Sequence, residues 1–286
     1  MTDDTPGPIL RRMPSGKVSK QRRRAAAAPP PPVVSKGASR RRQASPRALA
    51  IAAGVVAALA VVIVVAVVLS GGGKSSGLPN GYQPVGTLSA GLPGAADVAA
   101  ELKGIAQTGT TLGSPFARVT LTEYVDLQCP ICREFETQVF PDIVERYVRT
   151  GKVKVVVEPW AFIGPDSFRG QAAMLAAARQ DKAFDFALLL YDNQGTENTG
   201  WLSDRMIYEI AVGVPGMKIK QLFDERSSAS VRAAAKQVDA DASANHVTGT
   251  PTLFVGAAGA KPTYVPMASG LDEPTLVRYL NRALAG

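Results

Sequence analysis

Val119-Thr120-Leu121-Thr122-Glu123-Tyr124-Val125-Asp126-Leu127-Gln128-Cys129-Pro130-Ile131-Cys132 is the stretch from which the rest of the chain is read. Its first seven residues alternate and are rich in β-formers (Val119, Leu121, Tyr124, Val125), which predicts a strand. Phe135, Val139, Ile143, Val144 and Tyr147 then recur at helical spacing up to a stop near Gly151. The apolar run from Val153 to Val157 predicts a second, buried strand. Strand, helix, strand is a βαβ unit, and a parallel sheet is expected from it.

Cys129 and Cys132 are the only two cysteines in 286 residues. A secreted scaffold held by disulfides needs more, at scattered spacings. Two cysteines and the single histidine, His246, cannot complete a four-ligand zinc site. A C-x-x-C between a strand and an opening helix has a direct chemical consequence. Cys129 falls at the helix N-terminus, where unpaired backbone N–H groups and the positive dipole end favour an anion. The thiol pKa drops and the thiolate fraction rises. Cys132 sits one turn on, more buried, placed to resolve a mixed disulfide formed at Cys129. Pro130 fits the first turn, where its missing N–H costs nothing. The competing readings of the pair are an inert staple, which would close too short a loop to constrain the unfolded chain, and a soft-metal clamp for an ion such as Cu(I). No cofactor or resident metal is expected.

The second feature is Val247-Thr248-Gly249-Thr250-Pro251-Thr252-Leu253-Phe254-Val255. A proline leading into an apolar strand removes a ladder donor. A cis Thr250–Pro251 bond explains it, and so does an ordinary trans proline at the strand start. His246, five residues before Pro251, reads as a helix-end or surface residue or as a neighbour of the sulfurs. Trp160 and Phe162 read as core or rim packing ahead of a peptide groove.

Outward from the motif, the N-terminal third differs sharply. Twelve Lys and Arg residues precede Ala48 against only Asp3 and Asp4, a surplus of ten that exceeds the whole chain's +8. The remainder is therefore slightly acidic, which removes a basic-surface argument for nucleic-acid binding by the folded part. Residues 1–47, rich in Pro, Ala and Arg, read as a disordered basic tail. Residues 48–69 are uncharged and almost wholly Ala, Val, Leu and Ile. As a helix these 22 residues reach about 33 Å, enough to cross a hydrocarbon core of about 30 Å. A cleaved signal peptide is the rival, but its apolar core and basic region are usually shorter. The dense positive charge ahead of the span predicts a cytoplasmic N-terminus and an extracytoplasmic remainder. Residues 70–94, with many Gly, Ser and Pro, read as a flexible linker. Residues 95–286 form the folded domain: a short helix, the βαβ unit, a helical insertion over about 166–245, then strand, strand and a closing amphipathic helix.

Thr122 to Cys132 with the following Phe135 resembles the DsbA family of thiol–disulfide oxidoreductases, in its membrane-anchored bacterial branch. Gly249-Thr250-Pro251-Thr252 resembles that family's cis-proline loop, and Gly104-Ile105-Ala106-Gln107 and Leu112-Gly113-Ser114-Pro115 look like its lead-in. The resemblance covers about residues 95–285. It implies an α/β, thioredoxin-like fold with an inserted helical domain, preceded by a single transmembrane helix. It implies Cys129 and Cys132 as catalytic residues and a cis bond at Pro251, with Thr250, Pro251, Pro130 and Ile131 facing the substrate. It also places Glu123 as a buried acid that shuttles a proton for Cys132; taken alone, Glu123 could equally face solvent. Ile131 departs from the best-known oxidising members, which carry His there, so a strongly oxidising potential does not carry over.

The function expected is formation of disulfides in reduced exported proteins by a membrane-anchored, extracytoplasmic oxidoreductase. The resemblance implies recycling by an integral-membrane partner of the DsbB or vitamin K epoxide reductase-like type. A reductase or isomerase is the alternative within the same chemistry.

Overall fold

The computed structural model of the chain describes residues 77–267 and 271–286. The expected basic tail (1–47), transmembrane helix (48–69) and first part of the linker (70–76) lie outside the described residues. Among the described residues no helix is long and apolar enough to cross a membrane.

The chain forms helix α1 (Ala95–Glu101), an edge hairpin β1 (Gln107–Thr108) and β2 (Thr111–Leu112), and strand β3 (Val119–Val125). Helices α2 (Pro130–Gln138) and α3 (Phe140–Ile143) follow, then a π-helical turn over Val144–Val148 and strand β4 (Val153–Pro159). Five helices come next: α4 (Pro165–Ala178), α5 (Ala183–Asp192), α6 (Asp204–Gly213), α7 (Ile219–Glu225) and α8 (Ala229–Ala244). Strands β5 (Thr252–Ala257) and β6 (Thr263–Val265) and helix α9 (Glu273–Ala285) close the domain.

The sheet runs β1-β2-β4-β3-β5-β6, with β3 at its centre. β3 and β4 pair in parallel from Val119↔Val153 to Val125↔Pro159, as a βαβ unit requires. Every other pairing is antiparallel, so the sheet is mixed. Val119, Leu121, Glu123 and Val125 share one face of β3 by the two-residue period, and all four are buried. The three apolar ones belong to the main core with Phe135 and Phe140 from the helices above. Tyr124 points the other way into a smaller cluster with Ala242 and Val247, edge-on to Phe254 at 6.0 Å.

Two features differ from the sequence expectation. The helix after the cysteines is one piece in the apolar pattern but breaks at Val139. Pro141 lacks the N–H that a continuous helix needs there, and the chain resumes through a turn in which the Arg149 N–H donates to the Val144 carbonyl, five residues back. The linker expected over 70–94 is held down in its second half. Val85 bridges Lys218, the Gly86 N–H donates to the Met217 carbonyl (2.9 Å), and the Thr87 N–H donates to the Val212 carbonyl (2.7 Å). A Cβ at Gly86 would run into the backbone carbonyls of Val214 and Ala211, so the close approach requires glycine. The Gly- and Pro-rich composition that suggests a tether also permits this flat contact against the α6–α7 turn.

Candidate active site

β3 delivers the chain to its C-terminal end, and α2 begins there. Cys129 is the N-cap of α2, with extended backbone (φ −69°, ψ 118°), and Pro130 occupies the first turn. The Cys132 N–H donates to Cys129 Sγ at 3.3 Å. Both cysteines are free thiols. Cys129 is 5% exposed and Cys132 is fully buried, so only the first sulfur is open to attack from outside. Ile131 between them is 38% exposed, an apolar side chain at the rim.

The Thr250–Pro251 peptide bond is cis. The loop carrying it lies against the sulfurs: the Cys129 thiol donates to the Thr250 carbonyl at 3.2 Å. The Thr250 hydroxyl is buried beside the two sulfurs. Hydrogen bonding from Cys132, then from Thr250 and the backbone N–H groups of Cys132 and Ile131, outweighs burial and brings the Cys129 thiol down from 9 to about 6. Cys132 goes the other way. Burial first, then its hydrogen bond to Cys129 and the charge on Cys129, hold its thiol well above 9. The two sulfurs are thus electrically unlike: one stabilised as an anion, the other as a neutral thiol.

Glu123 lies on the core face of β3, fully buried, and neither carboxylate oxygen has a hydrogen-bond partner among the described residues. Burial raises its pKa from 4.5 to about 8, so it is mostly protonated at neutral pH. His246 stands apart from this chemistry. It is exposed, has a left-handed backbone (φ 55°), and ends α8 through an N–H bond to the Ser243 carbonyl. Trp160 and Phe162 stack at 4.8 Å, with Phe162 half exposed, which makes them rim rather than core.

Several residues that hold the site in place have no motif in the sequence. Asp126 is buried; its Oδ1 accepts the Gln128 N–H (2.8 Å) and its Oδ2 accepts the N–H groups of Phe162 and Ile163 (2.9 Å each). Its carbonyl accepts the Cys129 N–H (2.9 Å) and the Tyr191 hydroxyl (3.2 Å). Gln194 Nε2 donates to the carbonyls of Leu127 and Cys129, at 3.0 and 3.1 Å. Gln128 accepts the Asn198 N–H (2.8 Å) and donates to Ser167 Oγ (2.9 Å). The turn that aims Cys129 is therefore fixed to α4, α5 and the loop after α5. The one local signal was Asp126 two residues before Gln128, an Asx-turn spacing. Among the described residues no group of three His, Cys, Asp or Glu side chains is arranged to hold a metal ion.

A family model described as Thioredoxin matches residues 106–263, more than half of the chain. The probable disulfide bond formation protein D of Bacillus cereus is 28% identical over 169 residues, covering 58% of this chain and 78% of that protein. The chain belongs to the DsbA family of thioredoxin-like proteins. It is a thiol–disulfide oxidoreductase. The crystal structure of oxidised BdbD from Bacillus subtilis superposes with a TM-score of 0.55 at 21% identity, covering 64% of this chain and 98% of that one. A thioredoxin-like oxidoreductase from Silicibacter pomeroyi gives 0.50 at 26% identity, covering 62% and 92%. The DsbA family's two motifs, a C-x-x-C opening a helix and a cis-proline loop, meet at 3.2 Å in this chain.

Proposed function

We propose that the chain is an oxidase that introduces disulfides into reduced, exported proteins. In this reading residues 48–69 anchor it in the cell membrane, residues 1–47 remain in the cytoplasm, and the folded domain, residues 95–286, stands outside. The apolar run and the positive charge ahead of it support that placement. The observation that carries the chemistry is Cys129 Sγ at a helix start, facing the Cys132 N–H on one side and the cis-proline loop on the other.

The steps balance as follows. A substrate thiolate attacks Cys129 in the Cys129–Cys132 disulfide and Cys132 leaves. A thiolate at Cys132 is disfavoured by burial, so Cys132 takes a proton. Glu123, protonated at neutral pH, gives it. The second substrate thiolate then attacks the mixed disulfide and Cys129 leaves as the stabilised thiolate. Two electrons pass from the substrate dithiol to the cysteine pair. Thr250, Pro251, Pro130 and Ile131 form the surface met by the substrate chain. An integral-membrane protein of the DsbB or vitamin K epoxide reductase-like type removes the electrons, and anchoring keeps the two close.

Mixing the oxidised chain with a reduced, unfolded substrate is expected to form substrate disulfides at least about tenfold faster than glutathione disulfide at equal concentration, because Cys129 is the better leaving group. No transfer of oxidising equivalents would overturn the oxidase reading. A second reading, reductase or isomerase, is favoured by Ile131, whose side chain offers no hydrogen bond to the thiolate beyond that of its backbone N–H. A reduction potential near about −270 mV selects it, whereas one well above that value supports the oxidase.

A further inference from the structure

The sheet has a second face, turned away from α2. Tyr124 lies on it. The register puts Thr252 and Phe254 of β5 and Tyr264 of β6 on the same side, because Tyr124 pairs with Thr252 and Phe254 pairs with Tyr264. Helix α8 packs on this face through Ala242 and ends at Ala244. Beyond that end Tyr264 is 54% exposed. A pocket of about 260 Å³ opens there, lined by Asn245, His246, Thr248, Thr252, Phe254 and Tyr264. It adjoins the cysteines through the cis-proline loop. Thr248 and Thr252 stand two residues on either side of Thr250, whose carbonyl accepts the Cys129 thiol at 3.2 Å. Two residues of chain span at most about 7 Å.

We propose that this pocket receives an aromatic side chain of the substrate, two positions from the cysteine that bonds to Cys129. The proposal rests on the cis-proline loop as the surface that meets substrate. A substrate laid extended along that loop turns every second side chain toward the protein. The residues two before and two after its cysteine therefore point the same way as the reacting sulfur. One of those positions falls beside Thr248 or Thr252, at the mouth of the pocket.

The walls suit a ring. Phe254 meets Tyr124 edge-on at 6.0 Å and Tyr264 edge-on at 5.8 Å, so a further ring extends a row already built in that geometry. The walls are also fixed before substrate arrives. Asn245 Nδ2 donates to the Tyr124 hydroxyl at 3.1 Å, and the Thr252 hydroxyl donates to the Gly249 carbonyl at 2.7 Å. The volume, about 260 Å³, lies below the range of about 300–1,000 Å³ usual for small-molecule sites, which favours one side chain over a metabolite. No carboxylate lines the pocket, so a lysine or arginine entering it would lose water without meeting a counter-charge.

The test is a competition at equilibrium. The full chain carrying Cys132→Ser is equilibrated in a glutathione buffer with pairs of single-cysteine peptides that share the same polar flanks. One pair is Cys-Ala-Phe against Cys-Ala-Ala, the other Phe-Ala-Cys against Ala-Ala-Cys, and the adducts are counted by intact mass. Each exchange replaces one peptide on Cys129 by another: one S–S bond breaks, one forms, and a proton passes from the entering thiol to the leaving one. The thiol chemistry cancels, and the adduct ratio reads the side-chain preference. The phenylalanine adduct is expected to exceed its alanine counterpart about tenfold in one of the two pairs. Tyr264→Ser removes an exposed wall and Thr248→Trp fills the pocket; each is expected to bring that ratio below about twofold, and a fall in either supports the pocket. Adducts formed at a ratio near one in both pairs would overturn the pocket and leave the cis-proline loop as the substrate surface. A tenfold ratio unmoved by both variants also overturns it, because the preference then comes from the rim at Ile131 and Phe162. No adduct with any of the four peptides overturns the proposed function along with the pocket.

Discussion

Cys129→Ser is expected to lower the rate of disulfide transfer by at least about a thousandfold, to the level of uncatalysed exchange. The two sulfurs are not interchangeable. Cys132 is fully buried, so when Cys129 is removed no sulfur remains that a protein substrate can reach. Cys132→Ser has a different signature. Its Cys129 thiolate still attacks a substrate disulfide, but no second sulfur resolves the product, so a covalent adduct with substrate accumulates on non-reducing gels. The backbone at the helix start is untouched by either change, because Cys129 is held there by its N–H bond to the Asp126 carbonyl. Equal residual activity in the two variants would contradict the assignment of separate roles.

The second large effect concerns Ile131. In the unaltered chain, a Cys129 pKa near 6 rather than 9 favours the reduced protein by about 1.4 kcal/mol at pH 7, or about 30 mV for a two-electron couple. The sign follows from linkage. The folded pKa is depressed, so this stabilisation is complete above pH 9 and is lost as the pH falls through 6. Ile131→His adds an imidazole donor beside a helix start that already favours an anion. Because Ile131 is 38% exposed, the change removes little packing. The Cys129 pKa is expected to drop by about one to two units and the potential to rise by about 30 mV for each. A glutathione redox titration of both chains at pH 7 reads the shift directly. An unchanged potential would mean that the residue between the cysteines has no bearing on the thiolate.

The cysteine pair and its setting were legible because local rules agreed with one another. Alternation from Val119, the helical recurrence after Cys132 and the run at Val153 each point to the same βαβ unit, and the parallel β3–β4 register follows. Pro251 could be flagged as out of place in an apolar strand, although the residues alone left cis and trans open. What escaped the sequence is of a different kind. β1 and β2 are two residues each, too short for any period to register. The break at Val139 lies inside an unbroken apolar pattern; only Pro141 marks it. Asp126, Gln194 and Asn198 act through bonds to segments 36 to 70 residues away, which spacing does not reveal. Glu136 reads as an ordinary polar position on an amphipathic helix, yet it is buried because α1 and α5 close over it.

The claim on which the chemistry depends is that the start of α2 and the Thr250 loop make Cys129 an easy anion. Thiolate absorbance near 240 nm, followed from pH 3 to 11 in the reduced chain and in Cys129→Ser, isolates that sulfur. The account predicts a midpoint near 6 that disappears in the variant. A midpoint near 9, the value of an unperturbed thiol, would contradict it.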